Sequence, residues 1–360
     1  MLRFLLLLLV AASMLGLTAC QPETSETASV LTVYSGRSKA LVDSLVRAFE
    51  AETGITVNVR YGTDAALLAA IQEEGTQTPA DIFWANTTGA LAEVSRLNLL
   101  VPLPDSITGK AAAYVPSGRH WVPVTTRFRV LAYNTSRVQP SQLPPTVAGL
   151  TGLTAFKGRI GWTPAYSSFQ DFVTALRVLH GEDSTRAWLK AMQALEPVIY
   201  PSNTPMIQAL ANGEIDLALT NHYYVLRYTQ GGAEGEFEGR EDAATEALEE
   251  LGPQPTAPVA LYHFRPGDAG NLALVTGAGL ITHSRKQATA LRFLAFLLDP
   301  AAQTYAATEV YEYPVVRGIT APAFMTPADT AFGLSPAHFD FEQLRQLDGT
   351  LNLMREIGLL

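Results

Sequence analysis

Leu31-Thr32-Val33-Tyr34-Ser35-Gly36-Arg37 opens the stretch that decides the fold. A short strand ends on a small turn and a fixed cation, and a helical pattern follows at once. Leu41, Leu45 and Phe49 share one helical face, with Val42 and Val46 beside them. Gly54 fits a helix C-cap. Ile55, Val57, Val59 and Tyr61 then alternate as a strand. Asp64 to Glu74 reads as a helix with Leu67, Leu68 and Ile71 as its apolar face. Asp81-Ile82-Phe83-Trp84 reads as a buried strand, and Thr88 to Leu97 as a helix carrying Leu91 and Val94. Three strand–helix pairs in a row predict an open, mostly parallel sheet covered by helices.

Further along the chain a second α/β unit follows the loop around Pro102 and Pro104. Trp121 to Tyr133 is long and extended. Arg159 to Trp162 is a strand. Phe169, Phe172, Val173, Leu176 and Leu179 mark a helix closed by Gly181; Trp188, Met192 and Leu195 mark another. Ser202-Asn203-Thr204-Pro205 opens a helix with Thr204 as N-cap and Pro205 in the first helical position. Ile215 to Leu219 is a strand that runs into Asn221-His222-Tyr223-Tyr224. Gly232 to Gly252 is Glu-rich and reads as a surface insertion, partly helical from Ala244 to Leu251. Leu272 to Val275 resumes a strand, and Arg285 to Leu298 is a helix ending before Pro300. Crossover segments between two lobes are expected near Thr125 to Val130 and near Ala260 to Phe264.

At the other end, one positive residue, Arg3, precedes the apolar run Phe4 to Leu17. That is signal-peptide length and too short to span a bilayer. Leu17-Thr18-Ala19-Cys20 has the form of a bacterial lipobox, which makes residues 1–19 a leader and Cys20 a lipid attachment point. Residues 20–29 read as a polar tether. Cys20 is the one cysteine of the chain, so the mature fold has no disulfide, thiolate metal site or cysteine nucleophile. About 330 residues then remain, a length that suits two lobes. The formal charge is −9, and a nucleic-acid partner is not expected for so acidic a chain. No Gly-x-Ser-x-Gly elbow and no Walker loop occurs.

In open α/β sheets ligands sit beyond the carboxyl ends of the strands. The first strand ends at Gly36 and Arg37; the strand ending at Trp162 runs into Tyr166, Ser167 and Ser168; the strand ending at Leu219 runs into Asn221, Tyr223 and Tyr224. Three phenols thus lie beside helix starts, with Arg127 and Arg129 on the extended stretch. Two readings stand side by side. Tyrosines at a helix start serve as rim or packing residues. They also suit a hard trivalent cation, which favours phenolate over phenol and selects hard oxygen donors, with arginines and helix N-termini holding a small anion.

On these residues the chain resembles the ferric-iron-binding solute receptors of ABC importers, within the type II periplasmic-binding-protein fold. Val33 to Arg37, Pro79-Ala80-Asp81-Ile82-Phe83, the stretch from Trp121 to Asn134, and Asn203-Thr204-Pro205 through Tyr223-Tyr224 carry the resemblance. It implies a two-lobed α/β fold, each lobe a mostly parallel sheet flanked by helices, with the ligand cleft between lobes. Residues 30–125 with about 265–312 would form the first lobe, and 126–264 with about 313–360 the second. It implies Fe(III) bound by Tyr223 and Tyr224, with Tyr166 as third phenolate. A carbonate-like anion would be held by Arg37 and Arg127, with Ser167, Ser168, Asn203 and Asn221 in support. Ser38 and Asn86 stand where some members carry a histidine and a glutamate ligand. The implied protein is a non-enzymatic, monomeric receptor in the periplasm or at the cell surface. It would touch the membrane through lipidated Cys20 and work with importer membrane subunits. Two other functions remain open: a receptor for a small anion or organic solute, and a secreted metal-dependent enzyme.

Overall fold

The computed structural model describes residues 30–37, 39–111, 113–232, 252–336 and 341–360. The leader, Cys20, the tether, Ser38 and nearly all of the Glu-rich insertion lie outside the described residues.

Strands and helices alternate as the hydrophobic pattern requires. β1 (Leu31–Ser35), α1 (Lys39–Thr53), β2 (Val57–Tyr61), α2 (Asp64–Glu74), β3 (Ile82–Ala85) and α3 (Thr88–Arg96) form the first run. Leu41, Val42, Leu45, Val46 and Phe49 of α1 are all buried, and Gly54 has φ of 71° where the chain leaves the helix. Thr63 caps α2 by accepting from the Ala66 N–H, and Thr87 caps α3 by accepting from Ala90. After α4 (Asp105–Thr108) comes the thirteen-residue strand β4 (Val122–Asn134). The second run is β5 (Ile160–Trp162), α5 (Ser167–His180), α6 (Glu182–Ala194), β6 (Val198–Ile199), α7 (Asn203–Ala211), β7 (Leu217–Asn221) and α8 (His222–Gln230). Then follow β8 (Val259–Tyr262), β9 (Ala273–Leu280), α9 (Gln287–Leu297), α10 (Pro300–Glu309), β10 (Tyr313–Pro314), α11 (Ala328–Leu334) and α12 (Leu347–Glu356).

The strands hydrogen-bond in the order β2-β1-β3-β9-β4-β7-β5-β6, with β8 and β10 also on β4. The outer pairs β1–β2, β1–β3, β5–β6 and β5–β7 are parallel, as strand–helix alternation dictates. The centre is antiparallel instead: β9 runs against both β3 and β4, and β4 against β7. These are the strands that carry the chain from one half to the other and back. β4 pairs with β9 through Phe128 and with β7 from Arg129 onward, so it changes partner between adjacent residues. Ala260 to Tyr262, expected as a crossing segment, lies inside β8 and pairs with the distal end of β4. Residues 263–272 join β8 to β9, which lies between β3 and β4.

Each half has its own core. Phe49 packs edge-on against Phe293 at 5.0 Å in the first, and Trp162 against Phe169 at 5.5 Å in the second. The α7 start differs from expectation. Ser202, not Thr204, holds the N-cap position, and Pro205 is the third helical residue. Proline is tolerated there because the first four helical N–H groups have no intrahelical acceptor.

Candidate functional site

β5 and β7 are parallel neighbours, so α5 and α8 start at the same edge of the sheet. Tyr166 is the N-cap residue of α5, and Tyr223 and Tyr224 are the second and third residues of α8. The hydroxyls of Tyr166 and Tyr224 lie 2.9 Å apart. The Tyr223 and Tyr224 rings pack at 4.2 Å between centroids, tilted by 33°. All three side chains are buried. The structure therefore gathers the three phenols named from sequence.

Asn221 holds the N-cap position of α8, but its side chain does not cap the helix. Its Oδ1 accepts from Arg129 Nη1 at 3.1 Å instead. The Arg129 guanidinium lies over the Phe172 ring at 5.4 Å, and its Nη2 has no partner among the described residues. Burial pulls this guanidinium down to about 9, against the opposing pull of Tyr223 and Tyr224. Asn203 Oδ1 accepts from Thr220 Oγ1 at 3.1 Å. Asn203 Nδ2, Asn221 Nδ2 and Ser168 Oγ are buried and lack partners among the described residues. Unspent donors at three helix starts beside phenols form a place for oxygen acceptors. Ser167, half-buried, is the first residue of α5.

The two arginines named for anion contact have a different setting. Asn86 Oδ1 accepts from Arg37 Nη1 at 2.5 Å and from Arg127 Nη1 at 3.0 Å; its carbonyl accepts from Arg127 Nη2 at 2.5 Å. Arg37 Nη2 pairs with Glu312 Oε1 at 2.7 Å, with both side chains buried. Among the described residues, Nε is the atom of each guanidinium that lacks a partner in Arg37 and Arg127. Burial opposes the charge of Arg127, yet Tyr223, Glu312, Tyr224 and Tyr166 together raise it above its ordinary range. Burial likewise opposes the Glu312 carboxylate, but Arg37, Arg127 and the Thr125 hydroxyl bring it down to about 2.

Sequence reasoning missed Glu312 and the bridging role of Asn86, and it named Arg129 without giving it a place in the anion contacts. Glu312 lies 275 residues from Arg37 and belongs to no local motif. Arg129 carried a signal: it is two residues from Arg127 on a strand, hence on the same face. His222 is explained by structure alone. Its Nδ1 accepts the Phe128 N–H at 3.1 Å and its Nε2–H donates to the Tyr311 carbonyl at 2.8 Å, leaving no nitrogen for a ligand. Tyr34 packs beneath the sheet edge, donating to Glu74 at 2.8 Å and accepting from Arg60 at 2.9 Å. Among the described residues no group of three His, Cys, Asp or Glu side chains is placed to hold a metal, and no helix is long and apolar enough to cross a membrane.

A two-lobed α/β fold of the type II periplasmic-binding-protein class, with a polar cluster where β4 changes partner, defines a solute-binding protein. The chain belongs to the bacterial extracellular solute-binding protein family, whose model matches residues 44–331. It is 31% identical over 303 residues to the major ferric iron-binding protein of Neisseria meningitidis serogroup B, covering 83% of this chain and 84% of that one. It is 28% identical over 354 residues to the Fe(3+)-binding periplasmic protein of Serratia marcescens, covering 98% and 96%. Among solved structures, iron-bound HitA from Pseudomonas aeruginosa superposes with a TM-score of 0.78 at 28% identity, covering 92% of this chain and 100% of that one.

Proposed function

We propose that this protein captures ferric iron outside the cytoplasm and hands it to an ABC importer, with Tyr166, Tyr223 and Tyr224 binding the metal as phenolates. The observation that carries this is the 2.9 Å separation of the Tyr166 and Tyr224 oxygens, with Tyr223 packed alongside. An octahedral ion with bonds of about 2 Å to oxygen sets neighbouring ligand oxygens about 3 Å apart. The two phenols already stand at that spacing. Three phenolates neutralise one Fe(III), a hard ion that prefers such donors.

A small oxyanion of carbonate type completes the coordination. Asn203, Asn221, Ser167 and Ser168 supply neutral hydrogen bonds at the helix starts, and Arg37 and Arg127 supply charge. Residues 30–125 with about 265–312 act as one lobe and 126–264 with about 313–360 as the other. Iron meets the tyrosines of the second lobe first. Closure then excludes water and presents a surface to the importer membrane subunits. Cys20 carries the lipid that tethers the monomer to the membrane, and no turnover is involved. The ferric-binding relatives in Neisseria and Serratia support this reading.

Iron bound to phenolate absorbs visible light. Titrating the purified iron-free protein with ferric citrate, with and without bicarbonate, should develop a yellow to red band that is weaker without bicarbonate. Tyr166→Phe should lose most of it. A protein that stays colourless in both buffers sinks the proposal.

A further inference from the structure

A cavity of about 380 Å³ lies between α2 and α3 on one side and α5 with the start of α12 and Arg345 before it on the other. That is within the range that holds small organic ligands. Four carboxylates, those of Asp64, Glu93, Asp171 and Asp348, line it against one guanidinium, that of Arg345. Three of the four are accounted for. Asp64 accepts from the Asn86 and Thr87 N–H groups and from the Thr87 hydroxyl, capping the turn into α3. Glu93 pairs with Arg96 at 2.6 Å. Asp348 is exposed to solvent.

Asp171 is different. It is 3% exposed, it lines the cavity, and among the described residues its carboxylate accepts no hydrogen bond and forms no ion pair. A β-carbon added at Gly89 would stand 3.2 Å from Asp171 Oδ1 and 3.1 Å from the Leu344 carbonyl. The glycine thus leaves the carboxylate uncovered at the α3 side of the cavity. The carboxylate oxygens are open to the cavity and not sealed in the core, so a cation that carries N–H groups can reach them there. An anion would meet Asp64 and Asp171 together. A divalent ion would need several ligating oxygens, and one unspent carboxylate does not supply them. The rest of the wall is mixed, with Leu68, Ala90 and Leu347 as aliphatic surface beside the polar Gln72, Ser167 and Gln170.

We propose that this cavity binds a primary aliphatic amine in its ammonium form, with the ammonium on Asp171 and the stem against Leu68, Ala90 and Leu347. The cavity borders the proposed ferric site, sharing Asn86 and Ser167 with its surroundings, but the residues that hold the amine, Asp171, Leu68, Ala90 and Leu347, are none of those assigned to the metal or its anion. Burial and then the Asp64 carboxylate push Asp171 up to about 7, with Arg127 opposing, so at pH 8 the carboxylate is ionised and ready for a cation.

Calorimetric titration of the iron-free, full-length protein with n-butylammonium chloride at pH 8 tests this. Saturable one-to-one binding is expected, with uncharged n-butanol giving none. Asp171→Asn should weaken binding at least about tenfold. Leu68→Trp, a change at a half-buried position that fills the cavity, should weaken it as well. No saturable heat from the wild type, equal binding of butanol, or undiminished binding by Asp171→Asn overturns the proposal. Ferric colour measured on the same Asp171→Asn sample separates the two ideas: amine binding can fail with the colour intact, and the colour can fail with amine binding intact.

Discussion

Tyr166 and Tyr224 meet oxygen to oxygen at 2.9 Å although 58 residues separate them. The parallel pairing of β5 with β7 makes this possible, since it brings two helix starts to one edge. Tyr224→Phe removes one member of that pair without changing the ring's packing. As a buried hydrogen bond alone, the loss costs about 1 kcal/mol of stability. As a metal ligand, it costs far more affinity than the roughly 10–100-fold typical of outer-shell partners. The expected result is a nearly unchanged melting temperature with ferric affinity down more than about 100-fold, read by competition with a chelator through the visible band.

Glu312 is the counter-charge for both buried arginines around Asn86. Glu312→Gln leaves Arg37 and Arg127 without it, and breaking a buried pair from one side costs about 3–5 kcal/mol. The pH sense follows from a folded value held at about 2, below that of the free carboxylate. The contribution is complete above the ordinary carboxylate range and is lost as pH falls through that range toward 2. Urea unfolding at pH 7 should show the full difference between wild type and variant, and at pH 3 a smaller one.

Much of this molecule was legible in advance because its signals are local. The α1 face and the tyrosines after β5 and β7 follow from short-range pattern. What was not legible depends on partners brought together by topology. The antiparallel centre of the sheet comes from strands that cross between halves, which hydrophobic periodicity does not distinguish from parallel ones. Asn86, noted in the sequence only as standing where some family members carry a metal ligand, bridges Arg37 and Arg127 from positions 49 and 41 residues away. Asp171 sits inside an amphipathic helix pattern, where nothing marks it as buried.

His222 serves the fold through both ring nitrogens, joining β4 to the segment after α10. His222→Ala strands a backbone donor at Phe128 and a carbonyl at Tyr311, each worth about 1–3 kcal/mol when buried. Burial lowers the ring to about 4 in the folded protein, although the Tyr311 carbonyl and Glu312 pull the other way. The unfolded chain, titrating near 6.5, therefore binds the extra proton between those values. This contribution is complete above about 6.5 and falls away as pH drops toward 4, by about 3 kcal/mol in all. Chemical denaturation across that window should show a flatter profile for His222→Gln than for the wild type.

Asp171 predicts the opposite slope. Its folded value of about 7 lies above that of a free carboxylate, chiefly through burial and then through Asp64, while Arg127 draws it down. The folded protein holds the proton across the window in which the unfolded chain has released it. Stability from this group is therefore complete below about 4 and is lost as pH rises through 7, by roughly 2–4 kcal/mol. Asp171→Asn keeps the shape and removes the titration. It should match the wild type near pH 4 and exceed it by that amount at pH 8 in the absence of amine, measured by urea unfolding on iron-free protein. A wild type that loses nothing relative to the variant between those two pH values would show that the carboxylate has a donor in solution.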